Sequence, residues 1–233
     1  MIDRKARREM VAATRKFLNE EITAFEFDDA LGEIASRTED LTVRAVRNEL
    51  WCFYDDLKNH KVVLSKPQWD YIYRLMLVLE VDAEADIEIH KEHEWSLHHP
   101  VAACALALYG VFACYVGWGT QLVVLSLPFG ARSLLLALWR HMETSKPDAL
   151  ALALTPFSSM SQLRVARRHA PDFLKRRYPA HLADRRIRHP LFEMSTGFPS
   201  YLAIGLAWLM FAPIPLFFQC FPETNSRLAI KTV

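Results

Sequence analysis

Residues 101–139 carry one charge, Arg132, in 39 consecutive positions, and this run limits the choice of fold more than any other part of the chain. A hydrocarbon core about 30 Å thick takes roughly 20 helical residues to cross, so the run is two crossings long. Trp95, Trp118 and Trp139 punctuate it at spacings of 23 and 21 residues. Those spacings correspond to roughly 32–35 Å of helix at about 1.5 Å per residue. Tryptophan favours the lipid–water boundary, so a helical hairpin sets Trp95 and Trp139 at one boundary and Trp118 at the other. Gly117, Gly119, Thr120 and Gln121 supply the turn.

Whole-chain averages conceal a division. Residues 1–100 contain 14 Lys/Arg against 21 Asp/Glu, whereas residues 101–233 contain 14 against 6. Two modules in different surroundings account for such a split. The basic start, Met1 to Arg8, is not followed by an apolar stretch. It therefore does not read as a secretory signal, and the first module is expected in the cytosol. Cys52, Cys104, Cys114 and Cys220 form no CxxC pair and read as small apolar residues in a reducing compartment.

Residues 1–82 read as a bundle of four helices. Met10, Thr14, Phe17 and Leu18 share one side of the first, and Phe27, Leu31 and Ile34 share a face of the second. The third carries Val43, Val46, Leu50, Phe53 and Leu57 at alternating spacings of three and four. The fourth buries Trp69, Ile72, Tyr73, Met76 and Leu79. Two capping boxes, Thr23 with Glu26 and Ser65 with Gln68, open helices two and four. The acidic pairs Asp28–Asp29 and Asp55–Asp56 read as solvated faces, and His60 as a surface loop residue. An acidic surface favours a basic partner.

The stretch from Phe17 through Asn19, Glu20, Phe25, Asp28 and Asp29 to Leu31 resembles the start of the colicin D immunity protein family of small helical bacterial proteins. The whole chain resembles uncharacterised bacterial membrane proteins that join such a module to membrane segments. These resemblances imply a setting in toxin immunity or phage defence and a place in a bacterial inner membrane. They carry over no functional residue. The immunity family is soluble, and the long apolar runs here depart from it.

Residues 83–100 are expected to form an acidic, His-rich juxtamembrane connector. On a continuing helix His90, His93 and Glu94 would share one face, a spacing compatible with a first-row metal. The HExxH pattern is absent, so a hydrated connector is the plainer reading. Between the hairpin and the next apolar run, residues 140–198 read as a basic cytosolic loop. Its clusters are Arg164 with Arg167 and Arg168, then Lys175, Arg176 and Arg177, then Arg185, Arg186 and Arg188. Anionic headgroups attract such charges at about 1 kcal/mol each. Docking to an acidic surface, the chain's own N-terminal module included, is a second reading. Nucleic-acid binding comes last, because no recognition helix or aromatic platform accompanies the arginines.

A third apolar segment, 199–221, is broken by Pro213 and Pro215 and reads as a kinked crossing or a re-entrant stretch; a short tail, 222–233, follows. Arg132, seven residues before Trp139, is expected to snorkel to the boundary. The expected fold class is all-α: a small cytosolic bundle plus a transmembrane hairpin and a Pro-broken segment. No P-loop, GxSxG or Rossmann fingerprint gives a reason to name an enzyme or a cofactor. The reading is a membrane-tethered, non-catalytic interaction or effector protein. Its partners would be membrane lipids, an unidentified protein at the acidic module and further copies of itself. A metal-dependent membrane enzyme built on the His-rich neck and a small oligomeric pore are the alternatives.

Overall fold

A computed structural model describes residues 2–55, 57–91, 97–117, 119–144, 153–187, 203–221 and 224–232. The chain divides into two compact units. The first is assembled from three separate stretches, Met1–Ile89, Asp148–Ile187 and Ser226–Val233. The second comprises His90–Pro147 and Arg188–Asn225.

In the first unit, α1 (Arg4–Leu18) begins where the Asp3 carboxylate accepts from the amides of Lys5 and Ala6. It buries Met10, Thr14, Phe17 and Leu18, as its spacing requires. Helix α2 (Ala24–Ser36) opens on the Thr23–Glu26 box, in which the Thr23 amide donates to the Glu26 carboxylate at 2.7 Å. Phe17 and Phe27 stack at 4.4 Å between these helices, and Tyr54 meets both rings edge-on. Helix α3 (Leu41–Trp51) buries Val43, Val46 and Leu50 and stops before the end of its apolar stripe. Phe53 lies half-buried beyond it, and Leu57 is 81% exposed.

Helix α4 (Lys66–Glu80) starts at the Ser65–Gln68 box with Pro67 in its first turn. Its later residues Leu75 to Leu79 are all buried, more than one amphipathic face needs. The extra burial comes from chain that the sequence reading assigned to a loop. Residues 153–187 fold onto the same core, contributing Leu154, Phe157, Leu163, Ala166 and Leu182. Within them, α7 (Met160–His169) packs on α4, and a short 3₁₀ turn (Ala180–Leu182) inserts Leu182. The expectation of a basic loop over 140–198 is thus corrected for 153–187. Apolar residues spaced among the charges decide the outcome, because burying them gains about 25 cal/mol per Å².

The all-α expectation holds only in its broad form. Helices dominate, but β1 (Glu84–Lys91) and β2 (Thr224–Thr232) form a two-stranded sheet. The 83–100 connector is therefore partly strand, and so is the 222–233 tail. Leu228 and Ile230 of β2 join the core, and Lys231 reaches Asp86 at 2.7 Å. Alternation leads into β1: Val81, Ala83 and Ala85 are buried while Asp82, Glu84 and Asp86 are exposed, and beyond Ala85 the strand opens to solvent at Ile87, 51% exposed.

The second unit packs α5 (His98–Val116) against α6 (Thr120–Thr144). Gly117, at φ +80°, closes α5 in the left-handed region that a side chain disfavours. Across the pair, the Tyr109 hydroxyl lies 3.1 Å from Ser126 Oγ. The third apolar segment forms helix α8 over 203–210 and helix α9 (Pro213–Gln219), interrupted at Phe211 and Ala212. Leu216 of α9 packs with Ala102, Ala105 and Leu136. At Gly130 the backbones come so close that an added Cβ would lie 2.6 Å from Leu209. Ser133 donates to Gln219 at 3.0 Å and accepts from the Trp208 indole at 3.1 Å, so the buried hydroxyl is satisfied by two half-buried side chains.

Candidate functional site

The basic stretch of the first unit separates into two sets of side chains. Leu163 and Ala166 hold α7 down, which turns Arg164, Arg167 and Arg168 outward. Arg177 and Arg186 are exposed as well. The other three described members face the bundle. Lys175 Nζ lies 2.7 Å from Asp70. Arg176 donates from its side chain to Asn19 Oδ1, and its carbonyl accepts from the Trp69 indole at 3.1 Å. Arg185 pairs with Glu20 and donates to the Val62 carbonyl at 3.0 Å. Arg188 lies outside the described residues.

Electrostatics follow that division. The hydrogen bond from Arg185 holds the Glu20 carboxyl below the usual carboxylate range, with His181 Nε2 a further 3.5 Å neighbour. Glu20 itself stands at φ +62° in the turn between α1 and α2, so its backbone is held in a strained region to present the carboxylate. Tyr71, packed on α3, has its phenol pushed well up by burial and by the Glu49 carboxylate, to which its hydroxyl donates a hydrogen bond at 2.7 Å. Arg74 is pulled in the opposite sense by burial, while its Nε donates to the Thr155 carbonyl at 2.6 Å.

Of the residues read as a metal site, His93 and Glu94 lie outside the described residues. His90 belongs to β1 rather than to a continuing helix, so the helical spacing that placed it with the others does not apply. Among the described residues, no three His, Cys, Asp or Glu side chains converge as a metal site would require. Asp28 accepts from the Tyr54 hydroxyl and Asp55 from the Leu57 amide, so both carboxylates serve the loop after α3. His60 closes the same loop. Its Nε2 accepts from the Asp55 amide at 2.9 Å, and its Nδ1 lies 2.6 Å from the Lys61 carbonyl.

The residues that sequence reasoning missed are the acceptors, Asp70 and Glu20. Asp70 sits on an ordinary helical position and Glu20 in the turn after α1, and the folding of residues 153–187 onto the bundle gives each its cation.

The apolar character of the second unit is the other functional feature. His98–Val116 and Gln121–Trp139 are long and apolar enough to cross a membrane. Only 17% and 22% of the apolar stretch of each is buried. Leu108, Val111, Tyr115, Val124 and Leu135 all point outward. Arg132 is exposed too. No protein-family model matches the chain, no curated protein is significantly similar to it, and no solved structure resembles it.

Proposed function

We propose that this chain is a membrane-anchored interaction protein that presents a folded helical domain at the inner membrane of a bacterium. The observation that carries the reading is the lack of cover on α5 and α6. A core helix of a soluble protein is mostly buried, whereas these bury only about a fifth of their positions and expose about half. Contiguous exposed apolar surface of that size marks a membrane or a partner. The outward set of Arg164, Arg167, Arg168, Arg177 and Arg186 suits anionic headgroups on the cytosolic face.

Chain connectivity supports a definite topology. Met1–Ile89, Asp148–Ile187 and Ser226–Val233 belong to one unit and so to one side of a membrane. The chain between each pair of stretches must then return to the side it left. The α5–α6 hairpin does so by crossing twice. The 199–221 segment does so by entering the apolar layer and coming back. Leu209 stands against Gly130, near the middle of α6, and Leu216 against Leu136 near its end. Irregular backbone at membrane depth is tolerated where protein covers it. The domain's acidic faces are the surface offered to a basic protein partner. Toxin immunity or phage defence is the setting that the resemblance of the α1–α2 region suggests.

The experiment is fractionation followed by cysteine labelling in sealed vesicles. The full chain should stay in the membrane pellet after an alkaline wash and dissolve only in detergent. With Cys52, Cys104, Cys114 and Cys220 replaced by alanine, Lys61→Cys, Asp172→Cys and Arg227→Cys should label from one face and Gly119→Cys from the other. A chain that is monodisperse in buffer without detergent, or that labels at Lys61→Cys and Asp172→Cys from opposite faces, overturns the reading.

A further inference from the structure

The outward side of α7 is basic and carries an apolar residue at its start. Met160, Arg164 and Arg167 follow one another at spacings of four and three, so they share one face, with Arg168 beside them. All four are exposed, and the three arginines make no ion pair among the described residues. Across residues 160–177 six Lys or Arg stand against one carboxylate, Asp172. Residues 173–179 then run without regular secondary structure. Phe173 turns inward onto Tyr73, with ring centroids 6.2 Å apart, and Lys175 turns inward onto Asp70 at 2.7 Å. Leu174, between them, is left 80% exposed. Arg167, Phe173 and Lys175 border one cleft, which keeps Leu174 beside the arginines of α7. Met160, 46% exposed, borders the same cleft.

A single exposed leucine is ordinary. One set among arginines that lack carboxylate partners is not, because binding at a lipid surface combines buried apolar area with attraction to anionic headgroups. Nucleic acid would engage the same arginines but has no use for Leu174. Its bases stack on open aromatic rings, and the nearest rings, Phe173 and Tyr178, are turned onto Tyr73 and the Leu64 carbonyl. Connectivity favours lipid as well. Asp148–Ile187 is the one stretch of the first unit with second-unit chain on both sides of it in sequence. With α5, α6 and the 199–221 segment in the bilayer, both its ends lead back to lipid.

We infer that this face docks the helical domain onto an anionic bilayer. Leu174 and Met160 enter the boundary between headgroups and acyl chains, and Arg164, Arg167 and Arg168 contact the phosphate groups. This docking rests on the anchoring proposed above and adds an orientation to it. The domain lies against lipid by one defined side, and the anionic lipid content of the membrane controls whether it lies there.

The test places a nitroxide on Leu174→Cys in the full chain, with Cys52, Cys104, Cys114 and Cys220 replaced by alanine. The chain is reconstituted in nanodiscs of phosphatidylcholine, alone or mixed with phosphatidylglycerol. In the anionic discs the nitroxide should collide more with oxygen, which concentrates in lipid, than with a neutral water-soluble nickel chelate. In the neutral discs the order should reverse. The variant Arg164→Gln/Arg167→Gln/Arg168→Gln leaves Leu163 and Ala166 packed and should restore the aqueous order in anionic discs. A nitroxide on Leu41→Cys, at an exposed position of α3, should stay aqueous in both. A Leu174 label that stays in water in anionic discs overturns the inference, and so does one buried in lipid regardless of headgroup charge or of the arginines. An aqueous label on a chain that binds a short RNA duplex through those arginines overturns it in favour of nucleic acid. If the chain withstands an alkaline wash of its membranes, such a failure belongs to the docking face alone; a chain released by the wash overturns the anchoring reading and the docking with it.

Discussion

The guanidinium of Arg7 lies 2.7 Å from the carboxylate of Asp40, and both side chains are almost wholly buried, at 2% and 3% exposure. The same arginine donates to the carbonyls of Val81 and Ala83 at 2.9 Å each. Asp40 also accepts from the amides of Asp3 and Thr42. One ion pair thereby joins the start of α1, the cap of α3 and the chain entering β1.

Asp40→Ala should destabilise the first unit by about 3–5 kcal/mol, because it strands a buried guanidinium. The double variant Arg7→Met/Asp40→Leu should recover only part of that loss, since the Val81 and Ala83 carbonyls then lack donors. Urea unfolding of the detergent-solubilised chain, read by amide exchange in α1 and α3, measures both. The pair also sets an acid limit. Burial raises the Asp40 carboxyl, but Arg7 and the two amides outweigh it and hold it below the usual range. Its folded pKa is therefore below the unfolded value of about 3.9. The contribution is complete above that pH and fades as the pH falls through the folded value.

Glu20 makes a second test in the turn after α1. Glu20→Ala should release residues 180–187 from the bundle at a cost of about 1 kcal/mol, the part-exposed ion pair being screened. Glu20→Gly removes the same carboxylate but relieves the backbone at φ +62°. It should therefore be the more stable of the two by about 1 kcal/mol. Exchange rates of the 180–187 amides at neutral pH separate the variants. In the parent chain the protection factors of those amides, with the intrinsic pH dependence of exchange divided out, should fall on acidification, because the Glu20 pKa is lowered by Arg185 and its contribution disappears below the carboxylate range.

Gly130 gives a test inside the second unit. Gly130→Leu forces apart the backbones of α6 and the 203–210 helix and should cost about 1–3 kcal/mol. Ser133→Ala, which removes the bonds to Trp208 and Gln219, should cost less, about 0.6 kcal/mol per bond in an apolar layer. Thermal midpoints in mild detergent rank the two.

Charges placed on the outward faces test the proposed lipid contact directly. Leu108→Arg and Leu127→Arg sit on exposed positions of α5 and α6 and should each impair insertion by about 2.5–3.5 kcal/mol. Leu41→Arg, at a position 71% exposed on the helical domain, should leave membrane recovery unchanged. The readout is the fraction of chain retained in alkaline-washed membranes.

Local signals in the sequence were dependable, and long-range ones were absent. Thr23 with Glu26 and Ser65 with Gln68 mark helix starts because a capping box is complete within four residues. The stripe through Val43, Val46 and Leu50 identifies α3, but its continuation to Phe53 and Leu57 misleads, since the helix stops at Trp51. The alternation Ala83, Ala85, Ile87 is a strand pattern that the dense acidic residues between them disguised as a solvated connector. Its partner strand lies more than 130 residues later, and no pairing register is written locally. Charge also masked residues 153–187. Eight of their basic side chains drew attention, yet Leu154, Phe157 and Leu182 decide where that stretch goes.

The three-part construction of the helical domain bears on the order in which a ribosome releases it. Helices α1 to α4 emerge first, but the side of α4 that carries Leu77 stays uncovered until Leu154 and Leu163 arrive, after both long apolar helices have left the exit tunnel. Leu228 and Ile230 arrive later still. The domain therefore cannot mature before both apolar helices have emerged, so on the proposed anchoring their insertion can begin while the native core is still incomplete.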